Sequence, residues 1–291
     1  MVHFPAGSVV VGLDGSPSSD AALMWAVEEA VRRTIPLHLM HARADEGWWI
    51  RSGAFPPAEL EDRPDPVLSA GLLLAQERGP DLDLTWESAD TTAAAALVAR
   101  SSRADLVVVG SRGRSALRGV LLGSVSRQVA AHAECPVVVV HDEAYRLREQ
   151  GRIVVGVDAS ATSSRAVEFA FAHAARRSMS VTAVYAWWSD AEEDLSRSDD
   201  ERADVLVSKQ QRMVSNALAV WREEYPNVPV RERVVRAHPA DALVAASAAA
   251  QLLVVGRRGS GGFRGLVLGS VSHSVLHRSH CPVAVVNPRQ E

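Results

Sequence analysis

Short unbroken apolar runs recur along the chain, and between them apolar residues fall three and four apart. Val9–Leu13 has no polar break, which is the pattern of a strand buried on both faces of a sheet. Ser16-Pro17 follows, a serine N-cap with proline at the first helical position. Leu23, Ala26, Val27, Ala30 and Val31 then form one apolar helical stripe at i, i+3, i+4, i+7 and i+8. The same reading predicts strands over Leu37–Ala42, Leu82–Glu87, Leu106–Gly110 and Val137–His141, and helices over Val67–Arg78, Thr92–Ser102 and Ser124–Ala133. Strands separated by helices imply right-handed crossovers and a doubly wound, Rossmann-like α/β domain with a five-stranded parallel sheet. In such sheets ligands bind beyond the carboxyl ends of the strands, where the strand order reverses.

The pattern occurs twice. Val9-Val10-Val11-Gly12-Leu13-Asp14-Gly15-Ser16 returns 144 residues later as Ile153-Val154-Val155-Gly156-Val157-Asp158-Ala159-Ser160. Leu106-Val107-Val108-Val109-Gly110 returns as Leu252-Leu253-Val254-Val255-Gly256, Leu122-Gly123-Ser124-Val125-Ser126 as Leu268-Gly269-Ser270-Val271-Ser272, and Cys135-Pro136-Val137 as Cys281-Pro282-Val283, each 146 residues on. The second half also repeats the helical stripe, with Val167, Ala170, Phe171 and Ala174. Same-order repetition predicts two tandem domains, 1–144 and 151–291, joined by the charged stretch Asp142–Gly151. A length of 291 residues gives each a core of its own.

Composition narrows the functions. The net charge of −4 gives no reason to expect nucleic acid or an acidic membrane as partner. Lys209 is the only lysine, which nearly excludes chemistry that needs a phosphate-binding or Schiff-base lysine. Two cysteines are too few for a disulfide framework. Met1 to Gly7 lacks the basic-then-apolar form of a signal peptide, and no apolar run is long enough to span a bilayer. A cytoplasmic protein is the expectation.

Candidate chemistry sits just after the strands. Gly110, Gly113 and Gly123-Ser124 follow the fourth strand, and Gly256, Gly259 and Gly269-Ser270 repeat their spacing. Glycines here permit φ > 0 and let N–H groups approach an anion with no Cβ in the way. Ser124 can cap the helix that follows, whose N-terminus suits phosphate. Ser124, Ser126, Ser270 and Ser272 can add hydroxyl donors. Asp14 and Asp158 end the first strand of each half. Two readings stand for them: a ligand for ribose, adenine or a metal at the crevice, or a helix cap.

These motifs resemble the universal stress protein family over essentially the whole chain, and the glycine spacing resembles its ATP-binding branch. The tandem layout, with Trp221-Arg222-Glu223-Glu224-Tyr225-Pro226-Asn227-Val228 before a late strand, is similar to two-domain members from mycobacteria and related actinobacteria. The resemblance implies an adenine nucleotide in each half, ATP with or without Mg2+, in a homodimeric stress-response sensor. Asp14 and Asp158, with Gly15 and Ala159 beside them, would contact the adenosine part. Ala42 and Ala186 would offer backbone to adenine. Gly110, Gly113, Arg114, Gly123, Ser124, Val125 and Ser126 would line ribose and phosphates, as Gly256, Gly259, Gly269, Ser270, Val271 and Ser272 would in the second half. Ser88-Ala89-Asp90 and Ala237-His238-Pro239 stand where the family often has a glycine, which implies a differently shaped loop on the ribose side.

Other features carry less. Arg112, Arg114, Arg118, Arg257, Arg258 and Arg264 can pair with phosphates or simply be solvated. Trp48-Trp49 and Trp187-Trp188 follow the second strands and suit packing more than adenine stacking. Asp45–Asp65, rich in proline and glycine, reads as a flap over the site. Cys135 and Cys281, each before Pro and an apolar strand, read as buried structural thiols, and the scattered histidines show no metal spacing. Neither half has a Gly-x-x-x-x-Gly-Lys motif or an evident nucleophile–base pair. The expectation is therefore a nucleotide-binding regulator and not an enzyme. Two alternatives stand beside it: a slow ATPase or a binder of another adenine nucleotide such as AMP or cyclic AMP, and an interaction protein with a structural nucleotide.

Overall fold

The computed structural model describes residues 4–43, 63–114, 122–141, 151–158, 160–188, 200–260 and 267–287. The chain divides into two compact units, Met1–Leu147 with Arg289–Glu291, and Arg148–Pro288.

In the first unit the elements run β1 (Val9–Leu13), α1 (Pro17–Arg33), β2 (Leu37–Ala42), α2 (Pro66–Arg78), β3 (Leu84–Ala89), α3 (Ala93–Ser101), β4 (Leu106–Gly110), α4 (Ser124–His132) and β5 (Val137–Val140). The strands pair in parallel in the order β3-β2-β1-β4-β5. Helices α1 and α2 cover one face, and α3 and α4 cover the other. The chain leaves β1 toward β2 and β3, then crosses back to β4 on the other side of β1. The switch point therefore lies between the carboxyl ends of β1 and β4.

The second unit repeats this with β6 (Arg152–Gly156), α5 (Ala161–Arg177), β7 (Ser180–Trp187), α6 (Asp200–Glu224), β8 (Val230–Arg236), α7 (Pro239–Ser247), β9 (Leu252–Gly256), α8 (Ser270–Arg278) and β10 (Val283–Val286). Its strands run parallel in the order β8-β7-β6-β9-β10.

Local chemistry sets the element ends. Ser16 caps α1, its hydroxyl oxygen accepting from Ser19 N–H, with Pro17 opening the helix. Ser160 does the same for α5, accepting from Ser163 N–H. Each of these helices ends on a left-handed non-glycine residue, Thr34 at φ 55° and Ser178 at φ 52°. Their N–H groups satisfy the last helical carbonyls, of Ala30 and Val31 and of Ala174 and Ala175.

The strand cores are the apolar runs themselves: Val9, Val10 and Val11, Leu106 to Val109, and Val137 to Val140 are all buried. On α1 the predicted stripe holds for Leu23, Ala26, Val27 and Ala30, but Val31 is 48% exposed. The buried aromatic of this helix is Trp25. Strand β3 starts two residues later than predicted. Leu82 N–H closes a turn onto Gly79 O, and pairing with β2 begins at Leu37 and Leu84.

Cys135 and Cys281 are buried free thiols at the entries to β5 and β10. Burial pushes each thiol up to about 12. Among the described residues no helix is long and apolar enough to cross a membrane.

Trp25→Ala should cost the first unit about 3–5 kcal/mol, as expected for emptying a large buried site. Val31→Ala, on the same helix but exposed, should stay within about 0.5 kcal/mol. Urea unfolding of the two variants against the parent checks the contrast.

Candidate nucleotide site

The carboxyl ends of β1, β2 and β4 surround a cavity of about 480 Å³ in the first unit. Leu13, Met40, Leu97 and Val109 give it apolar walls. Nine of the ten residues expected to line a site in this half are brought together there: Asp14, Ala42, Gly110, Gly113, Arg114, Gly123, Ser124, Val125 and Ser126. The tenth, Gly15, is exposed at the start of the turn into α1. Its φ of +73° is its contribution, since a left-handed residue is needed to turn the chain from strand to helix.

Asp14 organises the loop. Its Oδ1 accepts from Ser16 N–H at 3.0 Å and its Oδ2 from Arg114 N–H at 2.9 Å. The carboxylate therefore ties the end of β1 to the chain leaving β4. The helix-cap reading of Asp14 is corrected, because Ser16 is the cap. The second unit uses the same device. Asp158 Oδ1 accepts from Ser160 N–H and Oγ–H at 3.0 and 2.6 Å, and Oδ2 accepts from Ser260 N–H at 2.7 Å. Asp20 stands close enough that burial and the Asp14 charge both push its carboxyl up.

The glycines act through space and not through φ. Among the described residues the positive-φ glycines are Gly7 and Gly15, so the expected left-handed geometry at Gly110, Gly113 and Gly123 is corrected. Gly256, Gly259 and Gly269 do not have it either. A Cβ on Gly110 would stand 2.7 Å from the Ser18 carbonyl, and one on Gly256 3.1 Å from that of Thr162. These two glycines let the first helix of each unit press onto the end of the fourth strand. A Cβ on Gly113 would lie 2.8 Å from Asp14 Oδ2, and one on Gly259 would also meet Asp158 Oδ2. At Gly123 the nearest atom, Ser111 O, is 3.4 Å away, so that position tolerates more.

A neck closes the loop. Gly123 N–H donates to Ser111 O at 2.7 Å, and Gly269 N–H to Arg257 O at 2.9 Å. Gly123 and Gly269 are themselves the N-caps of α4 and α8, with no side-chain capping bond. Ser124 is thus the first helical residue, a correction to its expected role as cap, and it is exposed. Helices α1, α2, α3 and α5 all carry a side-chain cap. At α4 the N–H groups of Ser124, Val125 and Ser126 lack helical acceptors and face the cavity end unclaimed by any cap. Ser126 is not an extra donor either: its buried Oγ–H is directed to Ser111 O and Gly123 O at 3.2 and 3.0 Å. Ser272 likewise donates to Gly256 O and Arg257 O. In both units this hydroxyl shapes the loop.

Among the arginines, Arg112 is half-buried and lines the cavity with exposed Arg114. Arg258 is exposed, and burial together with the Arg258 charge pushes the Arg257 guanidinium down. Ala186 lies in β7 opposite Val235, as Ala42 lies in β2 opposite Ala89. Ser270 and Val271 open α8. Trp187 packs under the Arg236 guanidinium at 5.7 Å, and Trp188 meets His238 at 4.7 Å. The two tryptophans are held by the last residue of β8 and by the chain just after it. Ala159, Arg118, Arg264, Trp48-Trp49 and the linker 142–150 lie outside the described residues.

One cluster was missed. Asp65, expected at the end of a flap, is the N-cap of α2, accepting from Leu68 N–H. It also accepts from Ser88 Oγ–H at 2.9 Å and lies 2.9 Å from His41 Nδ1. Burial pushes its carboxyl up, but these hydrogen bonds prevail and hold it at about 2. The signal was present in the sequence as Asp65-Pro66 before an apolar run. In the second unit the place of His41 is taken by Tyr185, pushed up by burial and by Asp158.

The family model of the universal stress protein family matches residues 6–141 and again 150–287. The chain belongs to the universal stress protein family. A universal stress protein of Mycobacterium bovis is 39% identical over 95% of this chain and 96% of the relative. Another, of Mycobacterium tuberculosis, is 37% identical over 95% of each. The crystal structure of a universal stress protein from Archaeoglobus fulgidus covers 98% of this chain and 99% of its own, at 21% identity and a TM-score of 0.67, and shares the fold. A universal stress protein solved in complex with cAMP is 32% identical over 48% of this chain and 97% of its own, at a TM-score of 0.36.

Because the Ser18 backbone cannot yield, Gly110→Ala should cost about 1–3 kcal/mol. Gly123→Ala should stay within about 0.5 kcal/mol. Denaturant midpoints of the two variants test this ordering.

Proposed function

We propose that each half of this universal stress protein binds one adenine nucleotide, with ATP as the first candidate, and that the protein is a nucleotide-dependent regulator in the stress response and not an enzyme. The observation that carries the reading is the cavity at the switch point. Its volume of about 480 Å³ falls within the roughly 300–1,000 Å³ of small-molecule sites. Its two ends differ in a way that fits a nucleotide. Apolar Met40, Leu97 and Val109 with the Ala42 backbone suit a base. The uncapped start of α4 presents N–H groups and a positive dipole end, which suit phosphate. Arg114 adds a cation beside it.

Asp14 lies between the two ends, where ribose hydroxyls would fall. Each carboxylate oxygen has a second lone pair beyond the N–H it already holds. The second unit keeps the same tether and the same uncapped helix start, which supports a second site. The argument against catalysis is chemical. No lysine stands at either site to reach the terminal phosphates, and neither glycine loop carries a nucleophile with a base beside it.

Titration calorimetry on nucleotide-free protein should give about two ATP sites per chain. A stoichiometry of zero would overturn the reading, and a value of one would confine it to one half. Competition among ATP, AMP and adenosine tests the orientation. Gly123→Glu should weaken ATP far more than adenosine, since the carboxylate would sit beside phosphate. Equal loss for all three ligands would show that the loop does not hold phosphate.

Asp14→Ala should weaken nucleotide binding in the first half by about tenfold to a hundredfold, the equivalent of about 1.5–3 kcal/mol for a hydrogen bond to a charged group. Circular dichroism should remain native. Unchanged affinity would limit Asp14 to its loop contacts.

A further inference from the structure

The two units differ away from the nucleotide loops, on the sheet face covered by α3 in one and α7 in the other. In the first unit this place is filled and neutral. Buried His38 lies 2.8 Å from Thr85 Oγ1 and 3.5 Å from Glu87 Oε2. Glu87 accepts two hydrogen bonds from the Arg100 guanidinium, at 2.8 and 2.7 Å. The Phe4 ring stands edge-on to His38 at 4.9 Å. Burial holds the His38 imidazole down at about 4, against the pull of Glu87, so at neutral pH Glu87 and Arg100 balance each other.

The repeat places Thr182, Arg231, Arg233 and Ala246 at the positions of His38, Thr85, Glu87 and Arg100. The acid has become a base, and its arginine partner has become alanine. What remains is a cavity of about 230 Å³, lined by Arg152, Val154, Thr182, Arg231, Arg233 and Ala246. Val154, Thr182 and Arg231 form one row across β6, β7 and β8. Arg152 and Arg233 lie two residues along their strands from members of that row, and so share its face. The acid of β8, Glu232, is on the opposite face, where it accepts from Ser215 Oγ and pairs with Arg222. Arg152 Nε donates to Ala249 O at 2.7 Å. Among the described residues no acid pairs with Arg152, Arg231 or Arg233.

We propose that this cavity binds a small multivalent anion carrying phosphate, at a site separate from the nucleotide site. Three guanidiniums line one cavity, and their planar N–H forks match phosphate oxygens in pairs. At about 230 Å³ the cavity falls below the roughly 300 Å³ where sites for drug-sized ligands begin. That size favours a diphosphate or a short phosphate ester over a whole nucleotide. The cavity sits along the amino-terminal half of the strands, whereas the nucleotide loops stand at the carboxyl ends. Its ligand would therefore bind together with a nucleotide and not in competition with it.

The test is calorimetric titration of inorganic pyrophosphate into the full chain, the Arg231→Ser/Arg233→Ser chain, and a charge-matched control, Arg127→Ser/Arg212→Ser, which removes two exposed arginines elsewhere. The expected result is one fewer pyrophosphate per chain in the Arg231/Arg233 variant alone, with ATP binding unchanged. This difference reads the cavity whether or not the glycine loops hold nucleotide. Glycerol 3-phosphate, titrated in parallel, distinguishes a phosphate ester from a free inorganic anion, and a site for either supports the proposal. Equal pyrophosphate stoichiometry and affinity in all three chains would overturn it. So would equal loss in both variants, which would reduce the effect to general charge. Both arginines are exposed, so serine there leaves the core intact, and matching circular dichroism spectra verify it.

Discussion

The site depends on one carboxylate that joins two strands. Asp14 stands at the end of β1 and takes the N–H of Ser16 with one oxygen and that of Arg114 with the other. This tether acts with the neck from Gly123 N–H to Ser111 O to hold the chain leaving β4 over the switch point. The tether in turn needs a residue without a side chain at Gly113, because a Cβ there would collide with the accepting oxygen. The close approach of α1 to β4 at Gly110 brings Ser16 and Ser18 within reach of the same loop. Charge, close packing and loop shape are therefore one coupled arrangement. That the second unit rebuilds it around Asp158, with Ser260 in place of Arg114, shows that the backbone N–H is what matters there and not the side chain that follows.

Much of this was legible in the residues. The strands Val9–Leu13 and Leu106–Gly110 fall where continuous apolar runs predict them, because strands buried on both faces leave a clear signal. The Ser16-Pro17 start of α1 is equally plain, being local chemistry. The cavity's glycines and serines could be named because a repeat marks what both halves keep, and Ala42, Arg114 and Val125 because of the family resemblance. The reasons for the glycines could not be read, since sequence does not reveal whether a glycine answers a φ requirement or a close neighbour. Gly110 is explained by Ser18, 92 residues away in sequence. Ser124 as a cap failed for a similar reason: the glycine before it already had extended geometry, at φ −74° and ψ 161°.

Duplication explains the rest of what was hidden. Two copies of a fold under one set of constraints keep the switch point alike, while the flanks diverge. The change from Thr85 and Glu87 to Arg231 and Arg233 is visible in sequence only as two substitutions on a polar strand. Its meaning comes from register, which puts both arginines on the face of Thr182 and leaves Glu232 on the other. His41 and Tyr185 diverge at the second strand in the same way, so the rims of the two switch points are not chemically equivalent.

The buried thiols have a bearing on signalling. Cys135 and Cys281 lie at the same point of each unit, and both are held far from the ionised form that reacts with peroxides and disulfides. In a protein of a stress-response family, this makes the cysteines poor oxidant sensors. An oxidative signal acting on this chain would have to use some group other than its two thiols.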